Sequence, residues 1–313
     1  MPEIAVVEVG IAIPQESGDS CEATALAAFC AWAESLGFQS LWGSDSDTPN
    51  SLDPLTVLSH AAATTTRARI GVAVLLTALR DPLRLARELA TIDQISGGRL
   101  IVGVGLGGNS DAYPRHGLSA DGRVSRFDAG LRLLRALWTD NAVTSHTPWW
   151  QLDTIPRPLA PAQTPHPPLW FGARRGNALA RAASLGDGWI GAGSMTPAEF
   201  VCALTTLENH LRALGRDRSL YTVGKRVYIH VHGDDQAVPI AAARWFGRHY
   251  GDEGLAGRVA VIGDPETCAT HLRWLVGLGV NSIILHPVVD QWAQIELLVN
   301  EVLPLAGLDL APL

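Results

Sequence analysis

A glycine-rich segment of this chain has the spacing of a cofactor-binding loop. Residues 103–108 satisfy the pattern GxGxxG through Gly103, Gly105 and Gly108, with Gly107 between them. A dinucleotide fold requires a helix to begin there, but residues 110–114 predict a loop. The glycines are therefore interpreted as a strip without side chains, against which a flat ring system could lie. A tight turn without a ligand is the alternative.

A second segment has the composition of a phosphate site. It precedes a predicted helix and consists of Gly172, Ala173, Arg174, Arg175, Gly176 and Asn177. Free N–H groups and the helix dipole attract phosphate at such a position, and arginine adds bidentate contacts. A solvated basic pair beside an ordinary helix cap is the alternative.

The candidate proton donors are two histidines and three loop residues. His230 and His232 alternate on a predicted strand, so both side chains face the same way. A metal site needs a third ligand that the sequence does not identify, so none is predicted. A neutral imidazole with a pKa near ~6.5 could donate a proton, and a structural role is the alternative. The loop candidates Asp111, Tyr113 and His116 have ordinary polar loop roles as their alternative.

The elements that must position these residues are eight short apolar runs separated by helical periodicity, a pattern that predicts a (β/α)₈ TIM barrel. The predicted strands are Val9–Ile13, Ser40–Gly43, Ile70–Leu75, Leu100–Val104, Leu169–Gly172, Gly188–Ile190, Arg226–Val231 and Ser282–Leu285. The predicted helices are Ala23–Leu36, Pro82–Gln94, Val124–Trp138, Ala178–Leu185, Pro197–Leu214 and Pro265–Leu278. Catalytic residues of such a barrel lie on the loops after the strands. The turn Ser96–Arg99 lies at the opposite end, where a role in stability is expected.

Length and composition predict one domain over residues 1–313 with an insertion at 105–168 after the fourth strand. The chain has a net charge of −7, which disfavours nucleic-acid and membrane-surface binding. Four scattered cysteines and the lack of a leader or a long apolar run predict free thiols and a cytoplasmic protein. The insertion holds six prolines between 156 and 168 and the pair Trp149 and Trp150. It is interpreted as a semi-rigid lid whose indoles contact a substrate, with core packing as the alternative.

These motifs together resemble the luciferase-like monooxygenase family. The resemblance is carried by residues 10–15, 40–45, 89–106, 134–138, 167–172, 186–189, 263–266 and 279–287. Members of that family are (β/α)₈ barrels that use reduced FMN or the deazaflavin coenzyme F420.

The resemblance implies where the cofactor binds. Asp45 would lie near the ring, and a backbone kink around Val74 and Leu75 would lie behind it. Gly105, Gly107 and Gly108 would line one side. The segment Gly172–Asn177 would hold the phosphate, with Gly193 close by.

Two departures from the family pattern bear on the reaction. Members commonly have histidine directly after the aspartate at position 45, and here the residue is Ser46. Some deazaflavin members have a catalytic glutamate where this chain has Gly108. The expectation is an F420-dependent reductase acting on a C=C or C=N bond of a small organic substrate. The alternatives are an FMNH₂/O₂ monooxygenase and a non-catalytic flavin-binding member. A separate flavin or F420 reductase and a homodimer are further expectations.

Overall fold

The computed structural model describes residues 7–15, 23–46, 51–107, 111–232, 237–308 and 310. The strands in these ranges are β1 (Glu8–Ala12), β2 (Ser40–Gly43), β3 (Arg69–Leu76), β4 (Leu100–Gly105), β5 (Ala142–His146), β6 (Gln151–Pro156), β7 (Leu169–Gly172), β8 (Gly188–Gly191), β9 (Thr222–Val231), β10 (Val261–Gly263) and β11 (Ser282–Pro287). The α-helices are α1 (Leu26–Ser35), α2 (Pro54–Thr64), α3 (Pro82–Ile95), α4 (Ala112–Arg115), α5 (Arg123–Thr139), α6 (Gly176–Leu185), α7 (Pro197–Ala213), α8 (Ala237–Tyr250), α9 (Ala256–Val259), α10 (Pro265–Gly277), α11 (Gln291–Leu297) and α12 (Leu303–Ala306), with a π-helical stretch at Leu298–Val302.

Eight parallel strands close into a barrel in the order β1-β2-β3-β4-β7-β8-β9-β11, and β11 pairs back onto β1. The predicted (β/α)₈ barrel is therefore confirmed. Each predicted barrel strand overlaps an observed one, and the largest difference is at β9, which begins at Thr222 rather than Arg226. Gly224 and Lys225 interrupt the apolar run there, although both are buried in the strand.

Local sequence fixes where several helices begin. Asp53, Asp81, Thr196 and Asp264 each precede a proline, and each side chain accepts a hydrogen bond from the backbone N–H three residues on. Proline suits the first helical position because its missing N–H has no partner there in any case. These caps set the entry of α2, α3 and α7 from the ends of barrel strands, and that of α10 from the end of β10.

The turn before β4 is held by Arg99. Gly97 and Gly98 have φ values of +66° and +83°, which favour glycine. The Arg99 guanidinium donates to the backbone oxygens of Ser96, Ala62, Thr65 and Ala68 and to the Thr65 hydroxyl. These bonds join the ends of α2 and α3 to the starts of β3 and β4, on the barrel face opposite the mouth.

The segment predicted as a lid, residues 105–168, divides between the two ends of the barrel. It forms α4, α5 and the antiparallel hairpin of β5 and β6. Its proline-rich end then lies under the barrel, where Gln163 donates to Asp93 at 2.7 and 2.8 Å and to the Leu100 carbonyl at 2.8 Å. Because β7 runs parallel to β4, the chain must return to the lower face before β7 begins. The prediction that the whole insertion covers the mouth is thus wrong for this part.

The described residues were compared with the expectations on membrane spans and on free thiols. No helix among them has both the length and the apolar character needed to cross a bilayer. Cys30 and Cys268 are buried free thiols on α1 and α10, and Cys202 is an exposed one on α7. Cys21 lies outside the described residues.

Candidate active site

A hydrophobic plug closes the barrel interior below its mouth. Its buried side chains are Trp42, Ile101, Trp170, Ile190 and Ile284. The two indoles lie with ring centroids 5.4 Å apart. A Cβ atom on Gly71 would lie 2.5 Å from Cζ3 of Trp42, so glycine is needed there to make room. Trp42 therefore packs in the floor, and a ligand at the mouth must lie above it.

The end of β3 turns one side chain into the mouth. The peptide bond between Ala73 and Val74 is cis, and the register of β3 against β4 shifts at this point. This is where the family resemblance implied an irregular backbone. Val74 packs against Gly105 and Gly172, where Cβ atoms would lie 2.5 and 2.8 Å from its methyl groups. The isopropyl group of Val74 forms an apolar platform at the level of the strand ends.

The sequence predicted that the glycine strip would be bare backbone, but in the structure neighbouring side chains cover it. Val74 covers Gly105, and Leu76 covers Gly107, whose φ is +75° and whose Cβ would lie 3.1 Å from Leu76. A ring placed on this side would contact these side chains, with the glycines behind them. Gly108 lies outside the described residues.

Asp45 fastens the end of β3 to the end of β2. Its carboxylate accepts the Leu76 N–H at 3.0 Å and pairs with Arg80 at 3.2 Å. Arg80 also lies 3.2 Å from Asp53, the cap of α2. Leu75, which the sequence analysis placed beside the cofactor, is fully buried in the core between strands and helices. Its side chain therefore faces away from the mouth, because adjacent strand residues point to opposite faces.

The segment predicted to bind phosphate lies at the mouth with an open helix terminus. Arg174, Arg175, Gly176 and Asn177 are exposed, and Gly176 has a φ of +32°. The N-cap of α6, Arg175, makes no side-chain capping bond. Arg174 donates to the Ser194 hydroxyl and carbonyl at 3.2 Å and lies 3.5 Å from Glu199. Uncapped N–H groups beside arginine fit an anion.

The core supports this segment from behind. The Trp189 indole N–H donates to the Ala173 carbonyl at 2.8 Å, and the indole stacks on Phe200 with centroids 5.3 Å apart. Gly193 borders the same loop region, and a Cβ there would lie 2.4 Å from the Tyr228 ring. Trp189 thus packs in the core and positions the loop, rather than lining a ligand.

Lys225 is a buried cation that the sequence analysis did not single out. Its ammonium group donates to the Ala192 carbonyl at 2.5 Å and lies 5.5 Å from the Phe200 ring centroid. Burial, together with the nearby charges of Arg174 and Arg226, lowers its pKa to about 7. The adjacent charged residues Lys225 and Arg226 at the start of an apolar run were the available signal.

The two candidate histidines lie at the upper end of β9. His230 is buried, and its Nε2 lies 3.4 Å from the Gln294 amide nitrogen. Gln294 also bonds both backbone polar groups of Val231. His232 follows the strand, with its ring centroid 6.3 Å from that of His230. The described residues contain no group of three or more His, Cys, Asp or Glu side chains placed to hold a metal ion.

The three loop candidates after β4 differ in burial. Tyr113 is buried, its hydroxyl donates to the Leu106 carbonyl at 3.3 Å, and burial raises its pKa. It therefore ties α4 to the end of β4. Asp111 and His116 flank α4 as its caps and are exposed.

Trp149 and Trp150 pack on α5, outside the ring of strands. Trp150 is 7% exposed, its ring lies 4.7 Å from the Arg126 guanidinium, and a Cβ on Gly130 would lie 3.2 Å from it. Arg126 in turn donates to the Ala78 carbonyl beyond β3 at 3.0 Å. This packing accounts for Trp150 as a structural residue, and the substrate role given to the pair stays a prediction.

Helix α8 supplies an aromatic wall over the mouth that the sequence analysis missed. Tyr228, on the interior face of β9, has its ring centroid 5.1 Å from Trp245 and 5.0 Å from Phe246, and its hydroxyl bonds that of Tyr250. His286 of β11 lies 5.4 Å from Trp245 by the same measure. The helical spacing of the aromatic residues between 245 and 250 could have indicated this wall from the sequence.

Comparison with known proteins places the chain among enzymes of this architecture. It is 37% identical over 149 residues to an uncharacterized protein of Mycobacterium tuberculosis, a match covering 44% of this chain and about half (49%) of that relative. The monooxygenase RslO1 from Streptomyces bottropensis has a TM-score of 0.81 and 23% identity, covering 95% of this chain and 99% of that one.

An F420-dependent secondary alcohol dehydrogenase, solved with an F420–acetone adduct, has a TM-score of 0.83 and 19% identity, covering 96% and 99% of the two chains. These low identities show the fold alone. The family model described as luciferase-like monooxygenase matches residues 7–256, most of the chain. The chain therefore belongs to the luciferase-like monooxygenase family.

Proposed function

We propose that this chain binds reduced coenzyme F420 at the barrel mouth and reduces a C=C or C=N bond of a small organic substrate. One juxtaposition carries the proposal: Gly172 lies against the apolar platform of Val74 and begins the loop that leads to the open N-terminus of α6. A planar ring needs an apolar surface, and a phosphate linked to it needs N–H donors close by.

The residues present fit such a group. Val74 and Leu76 would support the ring, and the backbone of 174–177 with Arg174 and Arg175 would hold the phosphate. When bound, the reduced deazaflavin would supply a hydride, and His230 or His232 at the upper end of β9 would supply the accompanying proton. Asp45 would act indirectly, since its carboxylate holds the backbone behind the ring. The aromatic wall on α8 would exclude water from the mouth.

The two departures from the family pattern favour reduction over oxidation of an alcohol. Removing a hydroxyl proton requires a base, and the family's usual histidine and glutamate are Ser46 and Gly108 here. The alcohol dehydrogenase neighbour is therefore similar in fold, and its reaction is not the one proposed for this chain.

An FMNH₂/O₂ monooxygenase with a separate reductase is the second candidate. The same platform and anion site suit the phosphate of FMN, and RslO1 is described as a monooxygenase. A family member that binds flavin without turnover is the third. The partner reductase, the homodimer and the cytoplasmic location stay predictions.

Anaerobic titration with F420 and FMN, oxidised and reduced, tests the proposal, followed by oxygen uptake with each reduced cofactor. Tighter binding of F420 without oxygen uptake is expected. Replacing both Arg174 and Arg175 with glutamine should weaken F420 binding by about 1–3 kcal/mol. Arg212→Gln, an exposed change on α7, is the matched control. Preferential FMNH₂ binding with oxygen uptake would support the monooxygenase, and binding of neither cofactor would exclude both reactions.

A further inference from the structure

Arg226 is a buried cation on the interior face of β9. It is 8% exposed. Its Nε and Nη2 atoms are buried and have no hydrogen-bond partner among the described residues. Its guanidinium lies close enough to the Tyr228 hydroxyl and the His286 imidazole to affect both their pKa values. A buried charge without a counterion is costly, so this arrangement points to a ligand that completes it.

The geometry of the two unpartnered donors indicates the ligand's chemistry. Nε–H and the adjacent Nη2–H are parallel donors along one edge of the planar guanidinium. That edge matches the two oxygens of a carboxylate, which accept a pair of parallel bonds. A single carbonyl or hydroxyl oxygen would leave one donor unsatisfied.

A second unpartnered group lies beside Arg226. His286, on the neighbouring strand β11, has a buried Nδ1 atom without a hydrogen-bond partner among the described residues. Burial, and then the charge of Arg226, hold the pKa of His286 well below its usual value, so the ring is neutral. Its centroid lies 5.0 Å from that of Tyr228. A neutral imidazole and an aromatic ring suit the planar remainder of a carboxylic acid.

The position in the barrel separates these groups from the platform that would support the cofactor ring. Arg226 pairs with Ile284 of the floor, so its side chain starts at the level of the plug. In the closed strand order, β9 and β11 are three or four strands away from β3 and β4. The Val74 platform is thus on the other side of the mouth, which leaves Arg226 to the substrate rather than to the ring that Val74 would support.

We propose that Arg226, with His286 beside it, binds the carboxylate of the substrate, and hence that the substrate is an unsaturated carboxylic acid. The reaction of this acid rests on the proposed function, but its binding does not. With the carboxylate held on the β9–β11 wall, an adjacent double bond would extend across the floor toward the Val74 platform.

The test measures binding of crotonate and cinnamate by titration calorimetry, with crotonamide and cinnamamide as neutral counterparts, to protein with and without oxidised F420 or FMN. At least one acid should bind tenfold or more tightly than its amide. Arg226→Met should remove that preference, and Arg226→Lys should retain only part of it, because it keeps the charge without the parallel donors. Arg244→Met, an exposed change of the same kind on α8, should keep it.

The thermal stability of Arg226→Met distinguishes a binding role of Arg226 from a structural one. Removing an unpaired buried charge should leave the Tm of Arg226→Met equal or higher. A fall in Tm with the acid preference intact would overturn the proposal, as would failure of both acids to bind the wild type. Loss of F420 affinity in Arg226→Met at unchanged acid binding would assign Arg226 to the cofactor. If the acids bind through Arg226 but neither cofactor binds, the carboxylate site stands and the proposed function falls.

Discussion

The Cγ1 atom of Val74 lies 2.8 Å from the position that a Cβ atom on Gly172 would occupy. Val74 also fills the space next to Gly105, so its short branched side chain is confined between the two glycines. The apolar platform and the first residue of the anion loop are thus a single packed unit, and the glycine at 172 is a steric requirement.

Gly172→Ala should therefore destabilise the protein by about 1–3 kcal/mol through overpacking. The double variant Val74→Ala/Gly172→Ala should recover most of this loss, because Val74→Ala removes the methyl groups that the new Cβ atom at position 172 would meet. Urea unfolding of the wild type, both single variants and the double variant measures the coupling. Additive losses, with no recovery in the double variant, would show that the two residues do not compete for space.

Arg99→Ala should lower the free energy of unfolding by about 3 kcal/mol, since one guanidinium satisfies several backbone oxygens at the lower face. The remaining folded protein should bind cofactor with unchanged affinity, because the mouth is at the opposite end. Thermal unfolding and a cofactor titration on the same sample measure both effects. Weaker cofactor binding at unchanged Tm would contradict the structural role of this turn.

The barrel could be predicted from sequence because its strands are buried on both faces and read as continuous apolar runs. The starts of α3, α7 and α10, where Asp or Thr precedes proline, were predicted as well. Helix α2 begins in the same way but was not predicted. The hairpin of β5 and β6 was missed because its residues are largely exposed and its strands do not belong to the barrel. Helix α8 was missed because its aromatic residues face a local cluster rather than the main core.

The site was harder to predict because spacing does not show what fills the space next to a glycine. The glycines at 105 and 107 were correctly placed at the mouth, but only the structure shows Val74 and Leu76 covering them. Arg226 was passed over because a charged residue at the start of a predicted strand can face either layer. Its direction follows from the register of β9, which the sequence does not give.

Stability should depend on pH through Lys225. The buried amine has its pKa lowered to about 7, whereas an unfolded lysine titrates near ~10.4. The unfolded state therefore binds more protons between these values, and stability rises with pH across that window. From pH 7 to pH 9 the wild type should gain up to about 2 kcal/mol relative to Lys225→Met. Urea unfolding at both pH values measures this difference, and parallel changes in the two proteins would exclude Lys225 as its source.

The two tryptophan sites should respond oppositely in stability and substrate binding. Trp150→Ala removes an indole packed between Arg126 and Gly130, so it should cost about 3–5 kcal/mol of stability. It should leave the KM for substrate nearly unchanged, because these contacts lie on α5 outside the ring of strands.

Trp245→Phe should instead raise KM or change the preferred substrate, with a smaller loss of stability. The Trp245 ring faces Tyr228 and His286 on the interior of β9 and β11, so shortening it opens the wall above the floor. Phenylalanine retains most of the apolar contact within α8, which keeps the loss of packing modest. Steady-state kinetics and urea unfolding of both variants give the comparison. A larger KM change in Trp150→Ala than in Trp245→Phe would show that the substrate contacts the hairpin of β5 and β6 rather than α8.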